Sequence, residues 1–395
     1  MKNVIGAPAR GNSFFPRERE VKKIISRLKD GNNLNLAAPR RVGKTSILFY
    51  LLDNKEADYV YVYVDTEAVT NEQDFFKKIL KEMMKVEEIG KSGRLQKLLE
   101  EGGKLLGRIK SLKIMGNGLD LADNGKPIDY KEDIIHLLSG IELEDDKRII
   151  LLIDEFPQTV INIVEANGGN NTQAKQFLQS NREIRMNPEI NERVKFILTG
   201  SIGLNHTVVS IDSTAFINDL NSVEMEPLNQ GEAEDFLNQL LSPKGLKASD
   251  QVLKHALKKI EWLIPFHIQL VVQEIGNLAV NGTDVSLELV DQAFENIIQV
   301  RNSNHFDHYF SRLKKQFKKP ELPFVLELLD KLANEGTIKK TIIFDLAVKH
   351  ELEEKWRHIL EILVYDGYIN NTGDREVYRF NSPLVRLWWK TFICK

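Results

Sequence analysis

The stretch APRRVGKTS, residues 38–46, decides how the rest of the chain is read. It fits the spacing G-x-x-x-x-G-K-[ST] at every defined position but the first, where Ala38 stands in place of glycine. An apolar run, LNLA, precedes it, and a helix-compatible run, TSILFYLL, follows. In a strand, loop and helix joined this way, successive backbone N–H groups and the helix N-terminus converge on phosphate. Gly43 lets the main chain come close, Lys44 reaches toward the β and γ oxygens, and the Thr45 hydroxyl suits magnesium. Ala38 is compatible so long as its backbone stays out of the left-handed region, where a Cβ costs about 1–2 kcal/mol.

Two further stretches support the phosphate reading. RIILLIDEFPQ (148–158) is an apolar run ending in Asp154-Glu155. Asp154 is placed to hold magnesium, and Glu155 to polarise the attacking water, which needs a carboxylate beside the γ-phosphate. VKFILTGS (194–201) ends in Thr199 and Ser201, hydroxyls suited to the γ-phosphate or the water. Its strand is expected at a sheet edge, beside the strand that carries Asp154.

Working outward, 395 residues are too many for one ordinary core, so two or three domains are expected. A net charge of −3 gives no whole-protein pull toward nucleic acid or acidic lipid. One cysteine, Cys394, excludes an internal disulfide framework and a cysteine-cluster zinc site. MKNVIGAPARGNSFFP lacks the apolar core of a secretion signal, and no apolar run approaches the roughly 20 residues that span a bilayer. The expected location is cytoplasmic, with no membrane partner.

Up to about residue 225, apolar β-branched runs (34–38, 59–64, 148–153, 194–198) alternate with helical periods. They read as strands buried on both faces of a parallel sheet, with helices as crossovers. From 226 to 303 the pattern is all-helical. RLKKQFKKPELP (312–323) reads as a basic linker interrupted by prolines, its Arg312, Lys314, Lys315, Lys318 and Lys319 solvated. Helical stretches at 324–333 and 351–364, a hairpin in YINNTGDREVYRF and the closing SPLVRLWWKTFI follow. Between 90 and 147 a helix at 92–106 and a Gly116-Asn117-Gly118 turn are expected, with no assigned place on the sheet.

In this order the motifs resemble STAND-type and archaeal-type AAA+ ATPases. FFPRERE (14–20) is similar to their opening F-x-G-R-x-x-E motif, with Pro16 in place of glycine. APRRVGKTS is similar to their G-P-R-R-x-G-K-T-S loop, and LLIDEFPQ to their Walker B strand. FILTGSIGL, FINDLNSVEMEPL and GEAEDFL resemble the sensor strand and the start of the helical lid. Ile264-Pro265-Phe266 stands at their G-x-P-F element without its glycine, and YRFNSPLVRLWW resembles the end of a winged helix.

The resemblance implies an α/β P-loop NTPase fold: a parallel sheet with helices on both faces (1–225), a helical lid (226–304) and a winged helix (305–395). It implies ATP or ADP with Mg2+ as cofactors. Pro39, Arg40, Arg41, Val42, Gly43, Lys44, Thr45 and Ser46 would form the phosphate loop, and Thr45 and Asp154 would hold the metal. Phe15 and Arg17 would lie near the base or loop mouth, and Pro265 would start a lid helix over the nucleotide. ATP over GTP also follows from the resemblance, since no guanine-reading N/TKxD motif is present.

Arg182 and Arg185, in QSNREIRMNP, fall on a helix ahead of the sensor strand, where such proteins can present an arginine to a neighbour's γ-phosphate. Solvated helix arginines are the plainer reading. From 305 to 395 there are 16 Lys and Arg against 13 Asp and Glu, a surplus of 3, which is weak support for DNA. The helix before the hairpin also carries Glu351, Glu353 and Glu354. The leading expectation is a slowly hydrolysing ATP switch with a protein contact or self-assembly through lid and winged helix, in signalling or anti-phage and mobile-element roles by resemblance. The alternative is a DNA-loading ATPase like the archaeal origin-recognition group.

Overall fold

A computed structural model of the chain describes residues 1–90, 129–279, 284–371 and 373–394. The helix and turn expected between 92 and 118 lie outside the described residues. Internal contacts group the chain into two units. Unit 1 comprises Met1–Phe15, Ala38–Gly43 and Glu226–Lys395, and unit 2 comprises Pro16–Ala37 and Lys44–Met225.

Unit 2 is built on strands β1 (Asn33–Ala37), β2 (Tyr59–Asp65), β3 (Arg148–Asp154), β4 (Val194–Thr199) and β5 (Leu220–Glu224). All pair in parallel, in the order β2-β3-β4-β1-β5. β3 is buried at all but Arg148, as expected of its Ile and Leu run in a sheet covered on both faces, and β1 and β4 are buried at every residue although they carry Asn33, Asn35 and Lys195. β4 is not an edge strand. It lies between β3 and β1, with Ile153 opposite Leu198 and Leu36 opposite Thr199. The strand beyond β1, β5, occupies sequence that resembled the run into the lid. It exposes Asn221 and Ser222 and buries Val223, a pattern too polar to announce a strand.

The core on one side of this sheet is aromatic. Helix Glu72–Met83, capped by the Asn71 side chain on Asp74 N–H, turns Phe75, Phe76, Ile79, Leu80 and Met83 inward at helical spacing. Phe75 meets Phe177 edge to face at 4.8 Å, and Phe156 stacks on Phe177 at 5.4 Å. Each such ring contributes roughly 1.5–3 kcal/mol through burial alone. Packing of this kind holds the helices that follow β3 and precede β4.

Unit 1 is largely helical. Helices Gln230–Leu241, Asp250–Ile260, Pro265–Leu278 and Leu287–Ile297 each begin at a readable signal. These are an Asn229–Glu232 capping box, Ser249 and Ser286 caps, and Pro265 in the first turn. The all-helical expectation misses a short parallel pair, β6 (Lys247–Ala248) with β7 (Asp284–Val285). After them come helix Asp307–Gln316, helix Glu321–Glu335, β8 (Thr337–Lys339), helices Lys340–Lys349 and Trp356–Tyr365, β9 (Ile369–Asn370), β10 (Val377–Phe380) and helix Pro383–Phe392. β8, β10 and β9 form an antiparallel sheet in that order, so the hairpin expected there forms.

Two expectations for this region change. Arg312 is not a solvated linker charge. It lies in helix Asp307–Gln316, 7% exposed, with its Nη2 donating to Asp366 Oδ1 at 2.8 Å. Glu351, Glu353 and Glu354 precede the helix that starts at Trp356, instead of lying within it. Trp388 and Trp389 are core residues, and Trp389 Nε1 donates to Asp330 Oδ1 at 2.7 Å. The N-terminal segment is strapped to this unit: Asn3 Nδ2 donates to the Gln269 carbonyl, and Gln269 Nε2 donates to the Val4 carbonyl.

Candidate functional site

In a parallel sheet the strand C-termini share one edge, and loops leaving central strands face one another there. Here that edge carries the chain leaving β1, the carboxylates closing β3 and the hydroxyls after β4. The loop between β1 and helix Lys44–Asp53 bends through positive φ at Arg41 (69°) and Gly43 (110°). A Cβ at Gly43 would meet nothing within 4 Å, so the backbone angle and not crowding calls for glycine. Val42 and Lys44 are buried at 1% and 7% exposure, while Ser46 is half-buried in the first helical turn.

Thr45 Oγ1 donates to Asp154 Oδ2 at 2.8 Å, joining residues 109 apart in sequence. Tyr63 from β2 donates its hydroxyl to the same oxygen at 3.1 Å, and Glu155 N–H donates to Oδ1 at 3.1 Å. Asp154 is 4% exposed. Burial pushes its carboxyl up to about 6, and neighbouring Glu155 pushes the same way against the hydrogen bonds from Thr45 and Tyr63. A carboxylate so poorly solvated favours a cation beside it.

The Thr45 and Asp154 oxygens fit magnesium, which takes one or two protein ligands and completes its shell with water and phosphate. Among the described residues there is no group of three or more His, Cys, Asp or Glu able to hold a metal without such help.

Glu155 sits at the junction of β3 and helix Phe156–Ala166 in the left-handed conformation, φ 58° and ψ 31°. Ser201 holds it: the backbone N–H and the hydroxyl each donate to Glu155 Oε2 at 3.0 Å. Gly200 makes this approach possible, because a Cβ there would lie 2.5 Å from Pro157 Cδ. Thr199, fully buried at the end of β4, has a hydroxyl with no hydrogen-bond partner.

Unit 2 thus brings together Thr45, Asp154, Glu155 and Ser201. Other candidates fall elsewhere. Phe15 packs against Phe236 at 4.9 Å in unit 1, whereas Arg17 in unit 2 is buried on Glu20, with Nη2 to Oε1 at 2.9 Å. Pro265 opens helix Pro265–Leu278 in unit 1. Arg185, in helix Thr172–Met186, is 2% exposed and bidentate to Asp219, with a third bond to the Phe216 carbonyl. These three bonds, from Nε and Nη2, hold its guanidinium within its own chain. Arg182 is half-buried beside an open groove lined by Gln179, Glu183, Met186 and Phe216.

In unit 1, Pro39, Arg40 and Arg41 keep company with the helices. Gly367, at φ 79°, passes so close that a Cβ would lie 3.1 Å from Pro39 Cβ. The Arg41 guanidinium lies 4.5 Å over the Phe266 ring. Sequence reasoning did not single out Tyr63 or Gly200. The alternating tyrosines of YVYVYVD were the available signal for the first; only the fold shows the second.

No family model matches the chain, and no curated protein matches it. Among solved structures it is similar to the Walker-type ATPase PABY2304 of Pyrococcus abyssi, with a TM-score of 0.64 and 16% identity over 98% of this chain and 99% of that one. It is also similar to the ORC2 protein of Aeropyrum pernix in its ADPNP–ADP complexes, with a TM-score of 0.53 and 12% identity over 98% and 94%. At such identities the likeness speaks for the fold. The five-stranded parallel sheet with its helices, followed by a helical C-terminal part, is the P-loop AAA+ fold.

Proposed function

We propose that the protein binds ATP with magnesium and hydrolyses it slowly, the nucleotide state biasing a helical lid (226–304) and a winged helix (305–395). The observation that carries this reading is the Thr45–Asp154 hydrogen bond at 2.8 Å, directly beside a Glu155 carboxylate held by Ser201. A binding site for phosphate alone would have no use for the second acid. The nucleotide complexes of the Aeropyrum pernix protein are consistent with ATP as ligand.

In this mechanism Lys44 and the loop Pro39 to Ser46, through the N–H groups of every residue but Pro39, hold the phosphates, with Thr45 and Asp154 holding the metal. Magnesium, when bound, screens the charge of the triphosphate. Glu155 accepts the proton of the attacking water as the new bond to the γ-phosphorus forms and the bridging bond to the β-phosphate breaks. Ser201 fixes the rotamer of Glu155, and the Thr199 hydroxyl is available to the γ-phosphate. Arg182, at its open groove, is the arginine we assign to a neighbouring copy; Phe15, Arg17 and Pro265 are assigned to the base side.

The element order from 321 to 392, helix, strand, two helices, two strands and helix, supports the winged-helix reading. Helix Trp356–Tyr365, where such a domain would read DNA, exposes Arg357, Glu361 and Val364. One cation beside an acid and an apolar side chain suits protein better than a phosphate backbone. Phe344, Val348, Val364 and Leu387 are each 40–45% exposed, which further supports a protein partner or self-assembly. The DNA-loading alternative rests on the exposed Lys314, Lys315, Lys318 and Lys319.

Phosphate release by the full chain tests the enzyme claim: wild type should turn over Mg-ATP, and Lys44→Ala and Glu155→Gln should not. Equal background rates in all three would leave hydrolysis without support. Stimulation of turnover by duplex DNA would move the weight to the loader.

A further inference from the structure

Phe266, in the first turn of helix Pro265–Leu278, is the hub of a cationic cluster that lies wholly within unit 1. The Arg41 guanidinium covers one part of its surface at 4.5 Å, while the rings of His305 and His308 approach edge to face, each at 6.3 Å. His308, Tyr309 and Arg312 are neighbours on one side of helix Asp307–Gln316, at spacings of one, three and four residues. Arg40, Arg41 and Arg312 all press electrostatically on His308 and on Tyr309.

The cluster is under-satisfied. Arg41 Nε, both ring nitrogens of His308, the Tyr309 hydroxyl and Arg312 Nε are all buried without a hydrogen-bond partner. Tyr309 is 3% exposed and Arg312 7%, so solvent does not make up the deficit. Asp366 accepts from Arg312 at 2.8 Å, and Glu274 acts on His305.

Burial, followed by Arg40, Arg41 and Arg312, drives His308 down to about 2, so the imidazole is neutral and offers one N–H donor in either tautomer. A buried donor left unmade is costly, and several in one cluster are uncommon unless a ligand completes them.

We propose that Arg40, Arg41, His308, Tyr309 and Arg312 form a seat for a phosphate-type oxyanion. Planar guanidinium donors match the tetrahedral oxygens of phosphate, and the Tyr309 hydroxyl and His308 N–H supply neutral donors beside them. The anion is a free phosphate or one borne by a nucleotide. The seat is argued from unit 1 alone and stands whether or not Lys44 and Asp154 hold ATP.

Tyr309→Phe and His308→Phe test it, because each removes only polar atoms that have no partner and leaves an aromatic ring of related size. In nucleotide-free full chain, inorganic phosphate should raise the melting temperature of wild type well beyond an equal ionic strength of chloride. Both variants should lose at least tenfold in phosphate affinity by calorimetry, while melting at or above the wild-type temperature without phosphate. Phosphate binding that survives Lys44→Ala but fails in Tyr309→Phe belongs to the seat and not to the loop lysine. Repeating the titration with a saturating non-hydrolysable ATP analogue separates the sources: persistence assigns a free anion, and exclusion assigns the nucleotide's own phosphate. Phosphate affinity unchanged in both aromatic variants, or no phosphate effect beyond chloride, overturns the proposal.

Discussion

The acidic end of β3 and the cationic cluster around Phe266 are stressed in opposite senses. At β3, Asp154 is buried among hydrogen-bond donors and pushed up to about 6. Around Phe266, Arg41 is pushed below its usual value, first by burial and then by Arg40. One region crowds acidic groups and the other crowds guanidinium groups. Neither is a cheap arrangement for a protein that only has to fold, because taking a charge out of water costs several kcal/mol before its partners offset it.

That contrast can be broken first at Glu155. Removing a general base typically costs a hundredfold to ten-thousandfold, so Glu155→Gln should lose about 10²–10⁴ in turnover while keeping Mg-ATP affinity. A variant that turns over normally would remove the acidic region's chemistry from the comparison. The next effect is structural. Arg312→Met leaves Asp366, 1% exposed at its side chain, without its guanidinium, and should cost about 3–5 kcal/mol in urea unfolding.

A third test uses pH. Well below pH 4 Asp154 is neutral in both folded and unfolded chains. As pH rises from about 4 to about 6, ionisation is easy in the unfolded chain and resisted in the fold. Metal-free protein should therefore lose about 3 kcal/mol across that window, measured as a falling denaturation midpoint. Magnesium with nucleotide should restore it, with the affinity dropping as pH falls below 6. Asp154→Asn should abolish the trend. The smallest effect is at the hub: Phe266→Leu keeps apolar volume but removes the ring under Arg41, and should cost about 0.5–2 kcal/mol.

Much of the acidic region was legible in sequence because its parts sit at the ends of strands that are largely apolar. β1, β3 and β4 are buried on both faces, so their residue types announce them, and the chemistry follows directly at each C-terminus. β5 was not legible, since Leu220–Glu224 is held by its register on β1 and not by its own composition. Neither was the inward turn of Arg185. Its helix position looked solvated, and only the return of Asp219 to meet it, 34 residues on, shows otherwise.

The cationic region was the harder one to read. Arg312 lies in a lysine-rich run that looks like linker, and what separates it from its neighbours is a partner 54 residues away. Charge runs give no sign of which member turns inward. That information lies in tertiary packing, here the approach of Asp366 and the aromatic hub. The shape of the loop itself was partly foreseen: Gly43 was expected to free the backbone, but the positive φ of Arg41 was not.

Glu155 occupies a left-handed turn position that taxes any residue with a side chain by roughly 1–2 kcal/mol. A library screened for heat resistance alone should therefore enrich glycine or asparagine there, and the survivors should be sturdy and inert. The same library screened for phosphate release should return glutamate. Where those two selections disagree, the protein reveals what that awkward residue is for.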